Sequence, residues 1–315
     1  MKKRFLTSIF ILLITALFIG TRVYTPYAFD VFVGLLAIMG CVEVTRALER
    51  KRFFTNIIFV GSFPAVMYIA MTIGILNQRD WLHFILYFIV VILGLFLINF
   101  LYSLIFKNIT KKEKDKYGVF ESDVKYSFKK SMNSAFVMIY PALLFTCLFA
   151  MNHFFEFAFV DSLGMTDTDI IVIFFIVFTF AVTMLTDTFA LLVGSSIGGP
   201  KLCPIISPNK TISGAIGGFV FGAIGGLLVY YLFSLNTMFS SAIHLFDFSW
   251  WKFLILAGVT SIIDQIGDLI ASALKRSARV KDYGTIFPGH GGVMDRVDGL
   301  IFNSLVVLIG MFILI

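Results

Sequence analysis

Charged side chains are scarce in this chain: Asp, Glu, Lys and Arg together make up 14% of its 315 residues. A soluble domain holds about 25% charged residues, so the composition excludes an ordinary water-soluble fold. Apolar residues instead reach 59% of the sequence, and the mean hydropathy is +0.94. The composition therefore predicts an integral membrane protein.

Cysteine is also scarce, with three residues and no Cys-x-x-Cys pair. This count favours neither a disulfide framework nor a thiolate metal site. The sequence also lacks a small-x-small cleavage site after its first apolar run, so we expect that run to be retained as a helix.

Nine apolar stretches approach the length of about 20 residues that a membrane span needs. They predict an all-α polytopic bundle of about nine transmembrane helices, which forms a single membrane domain over residues 1–315. Within it we expect N-terminal helices in 1–130 and a catalytic half in 131–315. The predicted spans are Phe5–Gly20, Ala28–Val44, Ile57–Leu76, Leu82–Phe106, Ala135–Met151, Ile170–Val193, Gly214–Leu235, Phe253–Leu274 and Leu300–Ile315.

Connections that are rich in Lys and Arg alternate along the chain with connections that hold few of them. If the N-terminus is cytoplasmic, all of the 25 Lys and Arg residues except Arg22, Arg79 and Lys252 fall on the inner side. Cytoplasmic loops carry such an excess. We therefore expect a cytoplasmic N-terminus, with the polar loops 194–213 and 275–299 on the cytoplasmic face of the cell membrane.

A polar stripe runs along the eighth predicted span. Its residues follow one another at spacings of three or four, which places them on one helix face. They are Ser261, Asp264, Asp268, Ser272 and then Lys275 or Arg276. Carboxylates at membrane depth are costly and are functional candidates by default. The alternative is a polar seam satisfied by neighbouring helices.

Two further carboxylates, Asp295 and Asp298, stand three residues apart beside the next span. With Asp268 they make a set of three that needs a positive partner, and oxygen-only ligation suits Mg²⁺. We therefore predict that the three converge on one metal site.

Between the two spans lies Pro288–Gly292, a glycine-rich run around His290 that can approach a phosphate closely. The cations that flank this run are Lys275, Arg276, Arg279, Lys281 and Arg296.

The loop before the seventh span is a second candidate anion site. It holds two lysines and several small hydrogen-bond donors, although an ordinary turn with snorkelling lysines would look alike. In the span that follows, a glycine at every fourth position predicts close packing against another helix. The residues concerned are Lys201, Ser207, Asn209, Lys210 and Thr211 in the loop, and Gly214, Gly218, Gly222 and Gly226 in the span.

These segments resemble the phosphatidate cytidylyltransferase (CDP-diacylglycerol synthase) family. The family pattern S-x-apolar-K-R, K-D and apolar-P-x-H-G-G-apolar-x-D-R-apolar-D is filled without a gap from Ser272 to Asp298. The upstream loop resembles K-L-x-P-x-x-S-P-x-K-T-x-E-G, with departures at Ile205 and Ser213. The matching residues are Ser272, Leu274, Lys275, Arg276, Lys281, Asp282, Gly284, Phe287, Pro288, His290, Gly291, Gly292, Val293, Asp295, Arg296, Val297 and Asp298.

The resemblance implies an enzyme that joins CTP to phosphatidate, a homodimer among membrane lipids, a site open to the cytoplasm and no nucleic-acid partner. It implies Mg²⁺ held by Asp268, Asp295 and Asp298, and leaves a second cation open. The expected catalytic residues are these three with Lys275, Arg276 and Arg296, supported by Asp187 and Asp264. The expected substrate-binding residues are Lys201, Ser207, Asn209, Lys210, Thr211, Ser272, Arg279, Lys281, Asp282, His290, Gly291 and Gly292.

Two other functions share parts of this pattern. An ion-coupled transporter would also carry an acidic stripe on a span. It does not account for the second, phosphate-suited loop or for the crowding of cations beside the carboxylates. A membrane kinase for a lipid alcohol would share the nucleotide, metal and lipid requirements.

Overall fold

The part of the chain that the structure describes folds as a helical bundle with one small β-hairpin. The computed structural model describes residues 13–22, 24–50, 53–77, 81–106, 110–111, 113–115, 118–158, 165–287 and 291–315. The elements used below are α1 (13–21), α2 (Pro26–Glu49), α3 (Ile57–Leu76), α4 (Trp81–Ile105), α5 (Asp123–Val137), α6 (Leu144–Asn152), α7 (Phe154–Ala158), α8 (Met165–Ile197), β1 (Lys201–Cys203), β2 (Ser207–Thr211), α9 (Ile212–Ser234), α10 (Thr237–Leu245), α11 (Trp250–Ser277) and α12 (Met294–Leu314).

Within the described residues, eight helical stretches are long and apolar enough to cross a membrane. They correspond to the second through ninth predicted spans, and Ile57–Leu76 agrees at both ends. Part of the first predicted span, residues 5–12, lies outside the described part of the chain. The multi-pass helical fold is therefore confirmed.

The span predicted at Ala135–Met151 is longer than expected and is broken. It runs over Asp123–Asn152 as α5 and α6, joined by a π-helical stretch at Met138–Leu143. Tyr140 there has non-helical angles, φ −123° and ψ 116°, just before Pro141. Proline has no N–H for the helical ladder and disfavours helical angles in the residue before it, which accounts for the break at this position. The predicted border between the two halves, at residue 130, falls inside α5.

The glycine ridge of α9 packs as the sequence predicts. A Cβ at Gly218 would overlap the Thr186 carbonyl of α8, and one at Gly226 would overlap Ala257 of α11 and Phe178 of α8. Because these contacts leave no room for a side chain, α9 lies directly against both neighbours.

The segment predicted as a polar loop, 194–213, is in large part regular structure. Residues 194–197 complete α8, and β1 and β2 form an antiparallel hairpin with Lys201 opposite Thr211. The Thr211 hydroxyl then accepts a hydrogen bond from the Gly214 N–H at 3.1 Å and caps α9. The hairpin and the following helix are thus joined without a flexible linker.

Candidate active site

The polar stripe of α11 faces the interior of the bundle. The Thr186 hydroxyl donates to Ser261 Oγ at 2.8 Å, and Asn303 of α12 donates to Asp264 Oδ1 at 2.7 Å. Asp264 is fully buried, and its other oxygen, Oδ2, has no hydrogen-bond partner among the described residues. The first part of the stripe, Ser261 and Asp264, is therefore a polar seam that leaves one carboxylate oxygen unsatisfied within the described residues.

One turn further, Asp268 meets a lysine from the hairpin. Lys210 Nζ lies 2.5 Å from Asp268 Oδ2, and the Ser272 hydroxyl donates to Asp268 Oδ1 at 3.4 Å. A second link joins the same elements, since Arg276 Nε donates to the Ile206 carbonyl at 3.2 Å. The hairpin therefore lies against the end of α11 that carries the carboxylates.

Lys275 joins the remaining two predicted ligands. Its Nζ lies 2.9 Å from Asp295 Oδ1 and 3.6 Å from Asp298 Oδ2, and it interacts electrostatically with Asp268 as well. These carboxylates have this cation as a shared neighbour in the described structure, although 27 to 30 residues separate Asp268 from the other two. α12 begins at Met294, so Asp295 and Asp298 stand in its first turns, as their spacing predicts.

Asp295 also binds backbone groups of the loop before α12, which its position in the motif does not indicate. Its Oδ2 accepts the backbone N–H groups of Tyr283 at 2.8 Å and Gly292 at 2.9 Å, with a longer contact of 3.5 Å to the Gly284 N–H. Both of its oxygens are therefore engaged. Asp295 fixes the two ends of the loop that carries the glycine run.

Tyr283 closes that loop against α11. Its hydroxyl donates to the Ala271 carbonyl at 3.1 Å, and its ring lies 5.3 Å from Lys275 Nζ. Burial raises the pKa of Tyr283 well above its usual value, and the charges of Asp298 and Asp295 raise it further, against a lowering contribution from Tyr140. The Tyr283 hydroxyl thus stays protonated and acts as a donor.

Glu43 of α2 is a further neighbour of the site, at a position that no sequence motif marks. Its carboxylate accepts hydrogen bonds from the N–H groups of Val293 and Met294, at the start of α12. The rule that singled out Asp268, a carboxylate inside an apolar span, applies equally to Glu43. Its partners lie 250 residues away, so no local pattern connects them.

The supporting carboxylates lie beside the main group. Asp187 interacts electrostatically with Asp268, Lys210 and Arg296, and Asp264 interacts with Asp187, Asp268 and Asp298. Four carboxylates near α11 therefore repel one another, and Lys210 and Lys275 supply positive charge that offsets part of this repulsion. The four are Asp187, Asp264, Asp268 and Asp298. Such an arrangement suits polyanionic substrates only if further positive charge accompanies them.

The donors fit a divalent cation such as Mg²⁺, which binds one or two carboxylates together with substrate phosphates. The ligand atoms are all oxygens, and Asp264 Oδ2 has no hydrogen-bond partner within the described part of the chain. The described residues hold no group of three or more His, Cys, Asp and Glu side chains arranged to bind a metal by themselves. Asp268 and Asp298 each have one oxygen facing a lysine, whereas Asp295 could bind a metal only if Lys275 moved.

The remaining predicted catalytic and substrate-binding residues differ in how far they are exposed. Ser207 and Ser272 are half-buried, and Gly291 adopts a left-handed φ of 83° that favours glycine. His290, with Pro288 and Gly289, lies outside the described residues. Those with exposed side chains are Lys201, Asn209, Arg276, Arg279, Lys281, Asp282 and Arg296.

Comparisons with known proteins point to one family. The family model described as "Cytidylyltransferase family" matches residues 2–314. The chain is 48% identical over 126 residues to the phosphatidate cytidylyltransferase of Brucella abortus biovar 1 (strain 9-941), covering 40% of this chain and 42% of that protein. It is 41% identical over 128 residues to the phosphatidate cytidylyltransferase of Staphylococcus aureus (strain COL), covering 41% and 45%. The chain thus spans less than half the length of the curated relatives it matches.

Proposed function

This chain belongs to the cytidylyltransferase family, and we propose that it joins CTP to phosphatidate, forming CDP-diacylglycerol and releasing diphosphate. The observation that carries the proposal is the meeting of two cation-bearing segments at one carboxylate group: Lys210 from the hairpin at Asp268, and Lys275 at Asp295 and Asp298. Two anionic substrates need cations from more than one direction, and this arrangement supplies them.

In the proposed reaction a phosphate oxygen of phosphatidate attacks the α-phosphorus of CTP. The new P–O bond forms as the bond between the α-phosphorus and the bridging oxygen breaks, and diphosphate leaves with that electron pair. An ionised phosphate is already a nucleophile, so the residues need not remove a proton. Catalysis then consists of positioning and charge neutralisation.

The cations at the site are suited to hold the phosphates. Lys210 and Lys275 are partly buried, so their charges are less screened than those of the exposed Arg276 and Arg296. Each lysine now binds a carboxylate, and a substrate phosphate would compete for or share that ammonium group. The exposed arginines can add bidentate hydrogen bonds to phosphate from the rim.

We propose that Asp268 and Asp298, supported by Asp187 and Asp264, hold Mg²⁺ together with the CTP phosphates. When bound, the ion would neutralise part of the triphosphate charge. Asp295 remains a predicted ligand, but its hydrogen bonds to Tyr283 and Gly292 favour a role in holding the loop.

The fold also supports a location for this site. The eight candidate spans found in the described residues make the chain a multi-pass membrane protein. We propose that it lies in the cell membrane with the site on the cytoplasmic face, where the Lys and Arg excess predicts the loops to be and where CTP would be available. A homodimer is proposed on the family resemblance alone, and cross-linking in membranes would test it.

The proposed activity can be measured on protein purified in detergent with CTP, phosphatidate and Mg²⁺. We expect formation of diphosphate and CDP-diacylglycerol that depends on both substrates. Transfer of the γ-phosphate to a lipid alcohol would indicate a kinase instead. Absence of any CTP-dependent product from folded protein would contradict the proposal.

A further inference from the structure

Glu43 lies in the half of the molecule that carries no predicted catalytic residue, and yet it contacts the start of α12. It is 5% exposed, near the end of α2. Its Oε1 accepts the Val293 N–H at 3.1 Å, and its Oε2 accepts the Met294 N–H at 2.9 Å. Both carboxylate oxygens of one side chain thus bind consecutive backbone groups.

The space around Glu43 is shaped to fit it. A Cβ at either Gly284 or Gly292 would overlap the Glu43 carboxylate. The loop before α12 therefore passes the carboxylate on two sides, at the only residue type that lets the backbone come so close. A shift of α12 relative to α2 would break both hydrogen bonds at once.

Glu43 and Asp295 together satisfy the start of α12. The first N–H groups of a helix have no partner within the helix, and negative charge is favourable there. The Gly292 N–H donates to Asp295, and the Val293 and Met294 N–H groups donate to Glu43. Asp295 belongs to α12 itself and binds Lys275 of α11, whereas Glu43 joins the same helix start to α2.

We propose that Glu43 is a positioning residue for the cytidylyl transfer: it anchors the start of α12 so that Arg296 and Asp298 face the substrate phosphates. The inference rests on the proposed function. It assigns to α2 a part in the reaction, although no atom of Glu43 needs to touch a substrate. Displacing a catalytic group by about 1 Å can lower the rate by about 100-fold, so loss of this anchor has a kinetic effect.

Glu43→Gln tests the anchor, and Asp30→Asn is a matched control. Asp30 is also a buried carboxylate of α2, at the other end of the helix, where it accepts hydrogen bonds from Asn152 and His153 at 2.7 and 2.9 Å. Both substitutions keep the side-chain shape and replace one acceptor oxygen by an NH₂ group. Any general effect of disturbing α2 should appear in both variants.

We expect Glu43→Gln to lower kcat by between about 10-fold and about 100-fold while KM for CTP changes by less than about 3-fold, since the phosphate-binding lysines are on other elements. Amide hydrogen exchange at Val293 and Met294 should become faster. Asp30→Asn should lower Tm, but folded protein should keep the wild-type kcat and the wild-type exchange at these two amides.

Two outcomes would overturn the inference. One is a Glu43→Gln protein with wild-type kcat. The other is an equal loss of kcat in both variants at equal Tm, which would show a general effect of α2 stability. A folded wild-type protein without cytidylyl transfer would instead overturn the proposed function, and with it the catalytic role of Glu43, even if the exchange at Val293 and Met294 still responds to the substitution.

Discussion

Asp295 and Asp298 stand one turn apart on the same helix but are held differently. Asp295 binds Lys275 and the Tyr283 and Gly292 N–H groups. Asp298 faces Lys275 at 3.6 Å and, among the described residues, accepts one hydrogen bond, from the Gly299 N–H. The first arrangement fixes a loop. The second leaves the carboxylate free for a ligand.

We expect Asp298→Asn to reduce kcat by about 100-fold or more without a change in Tm, because it removes charge from the site but few structural contacts. Asp295→Asn should reduce kcat as well, and should also lower Tm, because its two anchored N–H groups lose part of their acceptor. Steady-state kinetics and thermal unfolding in detergent measure both. Near-normal activity of Asp298→Asn at limiting Mg²⁺ would remove that residue from the metal site.

Lys210 is the contact between the hairpin and the carboxylates. Lys210→Ala should lower kcat/KM for CTP or phosphatidate by about 10-fold or more, since a charge-assisted phosphate contact is lost. Extra Mg²⁺ should not restore it, because the missing group binds phosphate and not metal. Lys201→Ala, at an exposed position of the same hairpin, is the comparison. An unchanged kcat/KM for both substrates would show that Lys210 is structural.

At the scale of helices, the glycine ridge of α9 makes a sharp prediction. Gly226→Val should destabilise the protein by about 1–3 kcal/mol, because its side chain would overlap Ala257 and Phe178. Gly94→Val in α4 is the control, since a Cβ there has no neighbour within 4 Å. A lower Tm for Gly226→Val alone would support the packing. Equal Tm values would show that α9 can move away from its neighbours.

A separate polar cluster ties α2 to α6 and α7 at the other end of the bundle. His153 is buried, and its ring nitrogens lie 2.9 Å from Asp30 Oδ2 and 2.9 Å from Glu156 Oε1. Burial lowers the pKa of His153, but the hydrogen bonds and charges of these two acids raise it more, to about 9. The folded protein therefore keeps this imidazolium at neutral pH.

Because the folded pKa lies above the unfolded value of about 6.5, the stabilisation is fully present below that pH and is lost as pH rises through about 9. We expect the free energy of unfolding to fall over this window by a contribution on the order of 3 kcal/mol, which lowers Tm. His153→Gln should remove that dependence. His244→Gln, at an exposed position, should leave it unchanged. A pH profile of Tm that is the same with and without His153 would contradict this account.

Hydropathy predicted the spans well, because a helix in lipid needs a continuous apolar run of fixed length. It did not predict the break at Tyr140, since apolar residues continue on both sides of Pro141. Nor did it predict the hairpin at 201–211, because its strands are short and polar and are joined by a tight turn. Spacing alone placed Asp264 and Asp268 on one face of α11, and the structure agrees.

For the molecule as a whole, the sequence predicted which residues form the site but not the contacts that hold them in position. The motif residues could be named from their pattern, and the structure brings Lys210, Asp268, Lys275, Asp295 and Asp298 together. The contacts of Glu43 with Val293 and Met294, and of Lys275 with Asp295, join residues far apart in the chain. Such pairings depend on the packing of helices and leave no periodic signal in one sequence.

The central claim is that the site transfers a cytidylyl group, and the fate of the individual phosphates of CTP tests it most directly. Wild-type protein and Asp298→Asn would be incubated with phosphatidate, Mg²⁺ and CTP labelled either at the α-phosphorus or at the γ-phosphorus. We predict that wild-type protein moves the α-label into lipid as CDP-diacylglycerol and the γ-label into diphosphate, and that Asp298→Asn does neither. Movement of the γ-label into lipid, or no movement of either label by folded wild-type protein, would contradict the account.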